Sequence, residues 1–288
     1  MHCSNHPRPS LTTSTCYILR CWIALSVLIL GSTNARSSPP VVLAFPEIGE
    51  VLWQSSFEGD IKDELGNSSL QRTPCGGEYS NDGGAAHLVA DKFATGQKSV
   101  LLTIPGMGQS GKPSGVRLHR WCESQRYRDL YYAVKLLFPQ LIIKNKGGWT
   151  NWVQFKSKRA GRSTSEPIFF LDIYNAAANR EMYFMLTWWA GLDIEGPQPG
   201  QNGYRTWRST IPIPINEWID LRVNYVCTGS FDGRLVVWQD RKKIFELNDI
   251  RTKYPDGDCQ WGINNYGINI SPEIVKIYVD DAVIYKIR

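Results

Sequence analysis

Three well-separated stretches of the chain carry hydrogen-bonding and proton-carrying side chains at alternate positions. In residues 117–121 these are Arg117, His119 and Trp121; in 152–156, Trp152, Gln154 and Lys156; in 260–266, Gln260, Asn264 and Tyr266. Residues two apart lie on the same side of a strand, so three neighbouring strands would gather these groups on one surface. The other parity is more apolar, with Val116 and Leu118, Val153 and Phe155, and Trp261 and Ile263. Guanidinium and amide groups can hold and neutralise a carboxylate, while imidazole and phenol can pass a proton. Such an inventory suits binding an anion and moving a proton beside it.

Other chemistries find less support. Hydrolysis by paired acids needs two carboxyl groups at close range, whereas Asp172, Glu181 and Glu195 fall in separate segments and no E-x-D-x-x-E cluster occurs. No G-x-S-x-G elbow and no C-x-x-C pair is present, which removes serine hydrolase, zinc-ribbon and thioredoxin-like readings. Between residues 144 and 162 the charged residues are all basic: Lys144, Lys146, Lys156, Lys158, Arg159 and Arg162. That run favours an anionic polymer, and the absence of any nucleic-acid recognition module argues against DNA or RNA.

These residues need strands to position them, and the composition supplies a β-rich chain. Of 288 residues 42% are hydrophobic and 20% charged, with 25 glycines and 16 prolines scattered between short apolar runs, a pattern that excludes disorder and long-helix bundles. Strand signals fall at 51–57, 99–104, 115–121, 130–138, 150–157, 167–174, 182–189, 218–227, 233–239, 259–267 and 274–286. Turn-rich loops separate them, notably 106–115 and 191–204. Eleven tryptophans are many for this length, and Trp149, Trp152, Trp188, Trp189 and Trp207 could line a ligand groove or fill the core.

The first 35 residues read as a secretory signal peptide. Arg8 and Arg20 precede an apolar stretch from Cys21 to Leu30, and Thr33 and Ala35 supply the small residues of a cleavage site. The apolar stretch is too short to span a bilayer, and no stable membrane association is expected after cleavage. Residues 36–48 read as a linker and 49–288 as one domain. Beyond the leader stand Cys75, Cys122, Cys227 and Cys259, an even number suited to two disulfides in an oxidising compartment. Of the three connectivities, Cys75 with Cys122 and Cys227 with Cys259 is preferred because each bridge stays within one half of the chain. Asn67-Ser68-Ser69 and Asn269-Ile270-Ser271 are glycosylation sequons.

The order of motifs in the last third carries a resemblance. Trp218-Ile219-Asp220 is followed by Gly233 through Val237-Trp238-Gln239-Asp240, then Cys259-Gln260-Trp261-Gly262, then Tyr278-Val279-Asp280-Asp281. This is similar to secreted polysaccharide lyases of the heparin lyase and glucuronan lyase type, and more distantly to the alginate lyase type. Against the alginate lyase motifs, Arg117 keeps a leading arginine while His119 stands in place of an acid. Gln154 keeps a glutamine while Lys156 replaces a histidine, and Asn264 stands in the place of a tyrosine, with Tyr266 two residues on.

The resemblance implies an all-β fold, a concanavalin A-like jelly-roll β-sandwich of two antiparallel sheets. It implies a secreted lyase that cleaves an acidic, uronic acid-containing polysaccharide by β-elimination. In that reaction Arg117 and Gln154 would neutralise the carboxylate, His119 would be the base and Tyr266 the acid, or Tyr266 both. Lys156, Trp152, Asn264, Gln260, Tyr204 and Trp188 would bind substrate. The rival readings are a carbohydrate-binding jelly roll without turnover and, less favoured, a glycoside hydrolase. No cofactor is required, although Glu58 and Asp60 near one terminus and Asp280 near the other could meet around a structural calcium ion. The expected partner is an acidic polysaccharide, and the chain is expected to act as a monomer.

Overall fold

A computed structural model describes residues 45–67, 74–176, 181–189 and 204–287. The signal-peptide reading, most of the 36–48 linker, Glu195, the glycine-rich loop before Tyr204 and the Ser68-Ser69 part of the first sequon lie outside these residues.

The described residues form strands β1 (Glu50–Ser55), β2 (Gly76–Asn81), β3 (Ala85–Val89), β4 (Ser99–Pro105), β5 (Ser114–Arg120), β6 (Asp129–Leu137), β7 (Ile143–Arg159) and β8 (Glu166–Asn175). There follow β9 (Met182–Trp189), β10 (Tyr204–Pro212), β11 (Trp218–Val226), β12 (Gly233–Gln239), β13 (Lys242–Ile250), β14 (Gly257–Ser271) and β15 (Ile274–Lys286). Two short helices, α1 (Ile61–Gly66) and α2 (Cys122–Arg126), interrupt them. One sheet runs β13-β12-β11-β6-β15-β4-β3, with β1 also paired to β15; the other runs β10-β9-β8-β7-β14-β5-β2. Ladders between these strands are antiparallel. This is the two-sheet jelly-roll sandwich expected. The strands that the apolar patterning did not announce are β2, β3, β10 and β13, and they are the edges of the two sheets.

The core lies between the sheets and is rich in rings. Phe155 stacks on Tyr225 at 4.1 Å, Phe169 lies parallel to Trp188 at 6.0 Å, and Phe138 meets Trp152 edge-on at 5.2 Å. Arg120, 2% exposed, points to this side, where it pairs with Glu123 at 2.6 Å and lies 4.7 Å over the Trp53 ring. A second, smaller cluster covers the outer face of the β1-containing sheet, where Tyr131, Trp238 and Tyr285 pack with Phe45. The guanidinium groups of Arg222 and Arg241 lie 4.1 Å and 4.8 Å over the Phe45 ring, and Arg222 donates to the Pro46 carbonyl. Packed chain therefore begins at least four residues before the boundary at 49, within the segment read as linker.

Disulfides join Cys75 to Cys122 and Cys227 to Cys259, the preferred pairing. Each one clamps a strand of the second sheet: the first holds the start of β2 beside the end of β5, and the second holds β14 to the chain leaving β11. No helix of the described residues is long and apolar enough to cross a membrane.

Candidate active site

The outward face of the β10-to-β2 sheet forms a groove, and its centre is built by β5, β14 and β7. Register places Arg117 opposite Asn264 and His119 opposite Gly262 across the β5–β14 ladder. Across the β14–β7 ladder Gly262 faces Gln154 and Gln260 faces Lys156. Directly paired residues share a face of the sheet, so Arg117, His119, Gln154, Lys156, Gln260 and Tyr266 come together as the alternation suggested.

Two glycines make room for the rings. A side chain on Gly262 would place its Cβ 2.8 Å from His119 Cε1 and Nδ1, and one on Gly115 would place it 2.5 Å from Tyr266 Cδ2. The His119 and Tyr266 rings thus press close against the neighbouring backbone. Tyr266 is held further by Arg117, whose guanidinium sits 4.0 Å over its ring, and by Trp149, edge-on at 4.7 Å.

The groove has two hollows that meet at Arg117 and Lys156. One, about 710 Å³, is walled by Trp149, Asn151, Gln154, Phe170, Asp172, Thr187, Tyr204, Thr206 and Tyr266. The other, about 510 Å³, is walled by Tyr79, His119, Trp121, Gln125, Lys158, Asp258 and Gln260. Both volumes lie in the range of ligand-binding pockets. Neither Arg117 nor Lys156 forms an ion pair with a described residue, so the junction of the hollows offers two uncompensated cations to an anion.

That crowding of positive charge sets the local protonation states. Burial, and then the charge of Arg117, brings the Lys156 ammonium down to about 8. Burial, followed by the charges of Lys156 and Arg117, brings His119 down to about 3. His119 is 7% exposed, with Nδ1 unpartnered and its ring edge-on to Tyr79 at 5.7 Å. Asp172 is pushed up by burial, against the pull of Lys144 at 2.8 Å. It accepts from the Thr150 backbone N–H at 3.0 Å and from the Thr150 hydroxyl, stitching β7 to β8 beyond their last ladder pair.

Several expected substrate contacts are placed elsewhere. Trp152 is fully buried against Phe138 and Trp188 is 2% exposed against Phe169, so both belong to the core and neither offers a ring to a ligand. For Trp152 the reason is a register shift between Ile263 and Tyr266 in the β14–β7 ladder, which turns Trp152 inward and Asn151 outward. Asn264 is fully buried beneath the groove floor. Tyr204 stands at the groove wall, 45% exposed. Asn151 and Tyr79 are groove residues that the alternation did not flag; the first depends on the shifted register, and the second sits on an edge strand between glycines and polar residues.

The carboxylates named for calcium are hydrogen-bonded to backbone amides. Glu58 accepts from the backbone of Gln97 at 2.7 Å and Lys98 at 3.2 Å, and Asp60 caps α1 through Lys62 at 2.9 Å. Asp280 accepts from Ala94 at 2.7 Å and from Asp281 at 2.8 Å. Each is committed to backbone amides, and among the described residues no three acidic, histidine or cysteine side chains converge on a metal position.

Comparison with known proteins agrees at the level of fold. No protein-family model matches the chain, and no curated protein matches its sequence. Among solved structures, an endo-β-1,4-glucuronan lyase from the fungus Trichoderma reesei superposes with a TM-score of 0.55 at 13% identity, covering 73% of this chain and 90% of its own. An alginate lyase of family PL-14 from the marine animal Aplysia kurodai superposes with a TM-score of 0.54 at 11% identity, covering 83% of this chain and 100% of its own. The chain therefore shares the jelly-roll fold of glucuronan and alginate lyases.

Proposed function

We propose that the protein is a secreted lyase that cleaves an acidic, uronic acid-containing polysaccharide by β-elimination. The observation that carries this reading is the junction of the two hollows, where Arg117, Gln154, Lys156 and Tyr266 meet on one face and neither cation is ion-paired to a described residue. The shared fold with glucuronan and alginate lyases supports the substrate class, and the leader pattern and two disulfides support export.

In this mechanism Arg117 and Gln154 donate to the uronate carboxylate, which makes the adjacent C–H ionisable. The Lys156 amine takes that proton and becomes an ammonium; the electron pair left behind forms the new carbon–carbon double bond as the bond to the glycosidic oxygen breaks. The Tyr266 hydroxyl gives its proton to the departing oxygen, and solvent then returns both groups to their starting states. Lys156 suits the base role better than His119, because an amine near 8 has a useful neutral fraction at physiological pH and still binds a proton firmly. An imidazole near 3 is neutral but a feeble base. His119 then serves as an uncharged neighbour of Lys156.

The test is to incubate the mature protein with glucuronan, alginate, heparinoid and pectic polymers and to follow the ultraviolet absorbance of unsaturated chain ends. A rise on at least one polymer supports the lyase. Retention on such polymers with no absorbance change would support a binding module instead. We take the chain to act as a monomer, which light scattering after size exclusion checks.

A further inference from the structure

Beneath the groove three side-chain amides close a ring. Asn151 Nδ2 donates to Gln154 Oε1 at 3.0 Å, Gln154 Nε2 donates to Asn264 Oδ1 at 3.4 Å, and Asn264 Nδ2 donates to Asn151 Oδ1 at 2.8 Å. All three residues are buried, with 3%, 3% and 0% of their surface exposed. The sequence separation of Asn151 and Gln154 would put them on opposite faces of a regular strand, and only the register shift opposite Asn264 and Asn265 brings them together. We infer that Asn151 and Asn264 are positioning residues that hold the Gln154 amide in place for the substrate carboxylate. The consequence for turnover rests on the lyase reading; the positioning itself does not.

Counting donors shows what the ring achieves. A primary amide carries two N–H donors and one oxygen with two acceptor sites. Each member spends one N–H and one acceptor site within the ring, so every amide is tied at both its nitrogen and its oxygen. Gln154 lines the larger hollow, and its second N–H finds no acceptor among the described residues. It is left for a ligand. An unrestrained glutamine would have several rotamers to lose on each binding event and could also present its oxygen, which repels a carboxylate. Asn264 opposes Arg117 across the β5–β14 ladder, which places the ring directly beside the second carboxylate donor. Being fully buried, Asn264 can influence substrate only through its neighbours.

Two measurements on the folded mature protein test this. In a 1H–15N correlation spectrum the Gln154 side-chain signals, identified by their loss in Gln154→Ala, should be dispersed and slow to exchange with water. In Asn264→Ala they should move toward free-glutamine positions and exchange at least tenfold faster. On any polymer the parent cleaves, Asn264→Ala should lower kcat about tenfold or more with KM within threefold, and it should add no further loss in a Gln154→Ala background. Asn151→Ala is read in the same way and serves if Asn264→Ala does not fold. Unchanged Gln154 signals in a folded variant, or an equal loss of rate with and without Gln154, would overturn the inference. If the signals respond as expected but the parent cleaves no uronate polymer, the positioning stands and the lyase reading fails.

Discussion

If Lys156 is the base, the pH dependence of turnover should carry its signature. Only the neutral amine can take a proton, and in the free protein Lys156 titrates at about 8. The neutral fraction is then about 1% at pH 6 and half at pH 8, so kcat/KM should rise roughly fifty-fold between those values and less than twofold more by pH 9. Steady-state rates of absorbance increase on the preferred polymer, at fixed ionic strength, would trace this curve. Substrate brings a carboxylate close to Lys156 and Arg117, and a nearby negative charge favours the ammonium. The midpoint in kcat should therefore lie at higher pH than that in kcat/KM.

Lys156→Arg keeps the positive charge but supplies a group that stays protonated throughout this range. It should lose on the order of 10²- to 10⁴-fold in kcat with little change in KM. A base at His119 would behave otherwise. Titrating near 3, it would be neutral across the whole range and kcat/KM would be flat from pH 5 upward. A flat profile together with an active Lys156→Arg would refute the assignment. The same shift also has a stability consequence. Between about 8 and the ordinary lysine value of 10.5 the unfolded chain retains a proton that the folded state has released, so Lys156 by itself makes the fold more stable as pH rises across that window.

Tyr266→Phe keeps the ring under Arg117 and beside Trp149 but removes the acid, so kcat should fall on the order of 10²-fold at nearly unchanged KM; near-parent kcat would exclude the role. Trp152→Ala should destabilise by roughly 3–5 kcal/mol in chemical denaturation because it empties a core site, whereas Tyr204→Ala should change stability by less than about 0.5 kcal/mol and raise KM. The reverse pattern would mean that the two residues have been assigned to the wrong faces. Replacing Cys227 and Cys259 together by serine opens a loop with a sequence separation of 32 and should cost roughly 2–4 kcal/mol. Because β14 starts at that bridge, kcat should fall too, with the Cys75–Cys122 bridge intact by mass spectrometry.

What could be foreseen of this molecule follows from how much of each strand is buried. Inner strands such as β6, β8 and β11 are covered on at least one face for most of their length, and their apolar runs announce them. The edges β2, β3, β10 and β13 have one unpaired side, and segments such as Gly76–Asn81 or Tyr204–Pro212 carry glycine, serine, arginine and threonine as readily as apolar residues. A groove that reaches such an edge takes part of its wall from the least legible elements, which is why Tyr79 escaped notice although it opposes Arg117 in the β2–β5 ladder. Parity arguments succeed only where the ladder of β7 with β14 is regular. From Val153 to Lys156 they place every side chain correctly, and one register shift later they fail for Trp152 and conceal Asn151. The chemistry of Lys156 is further still from the sequence, because its lowered affinity for protons depends on burial and on an arginine of a strand with which β7 does not pair. Charge run and spacing could nominate Lys156 to bind an anion; only the packed sheet makes its amine a plausible base.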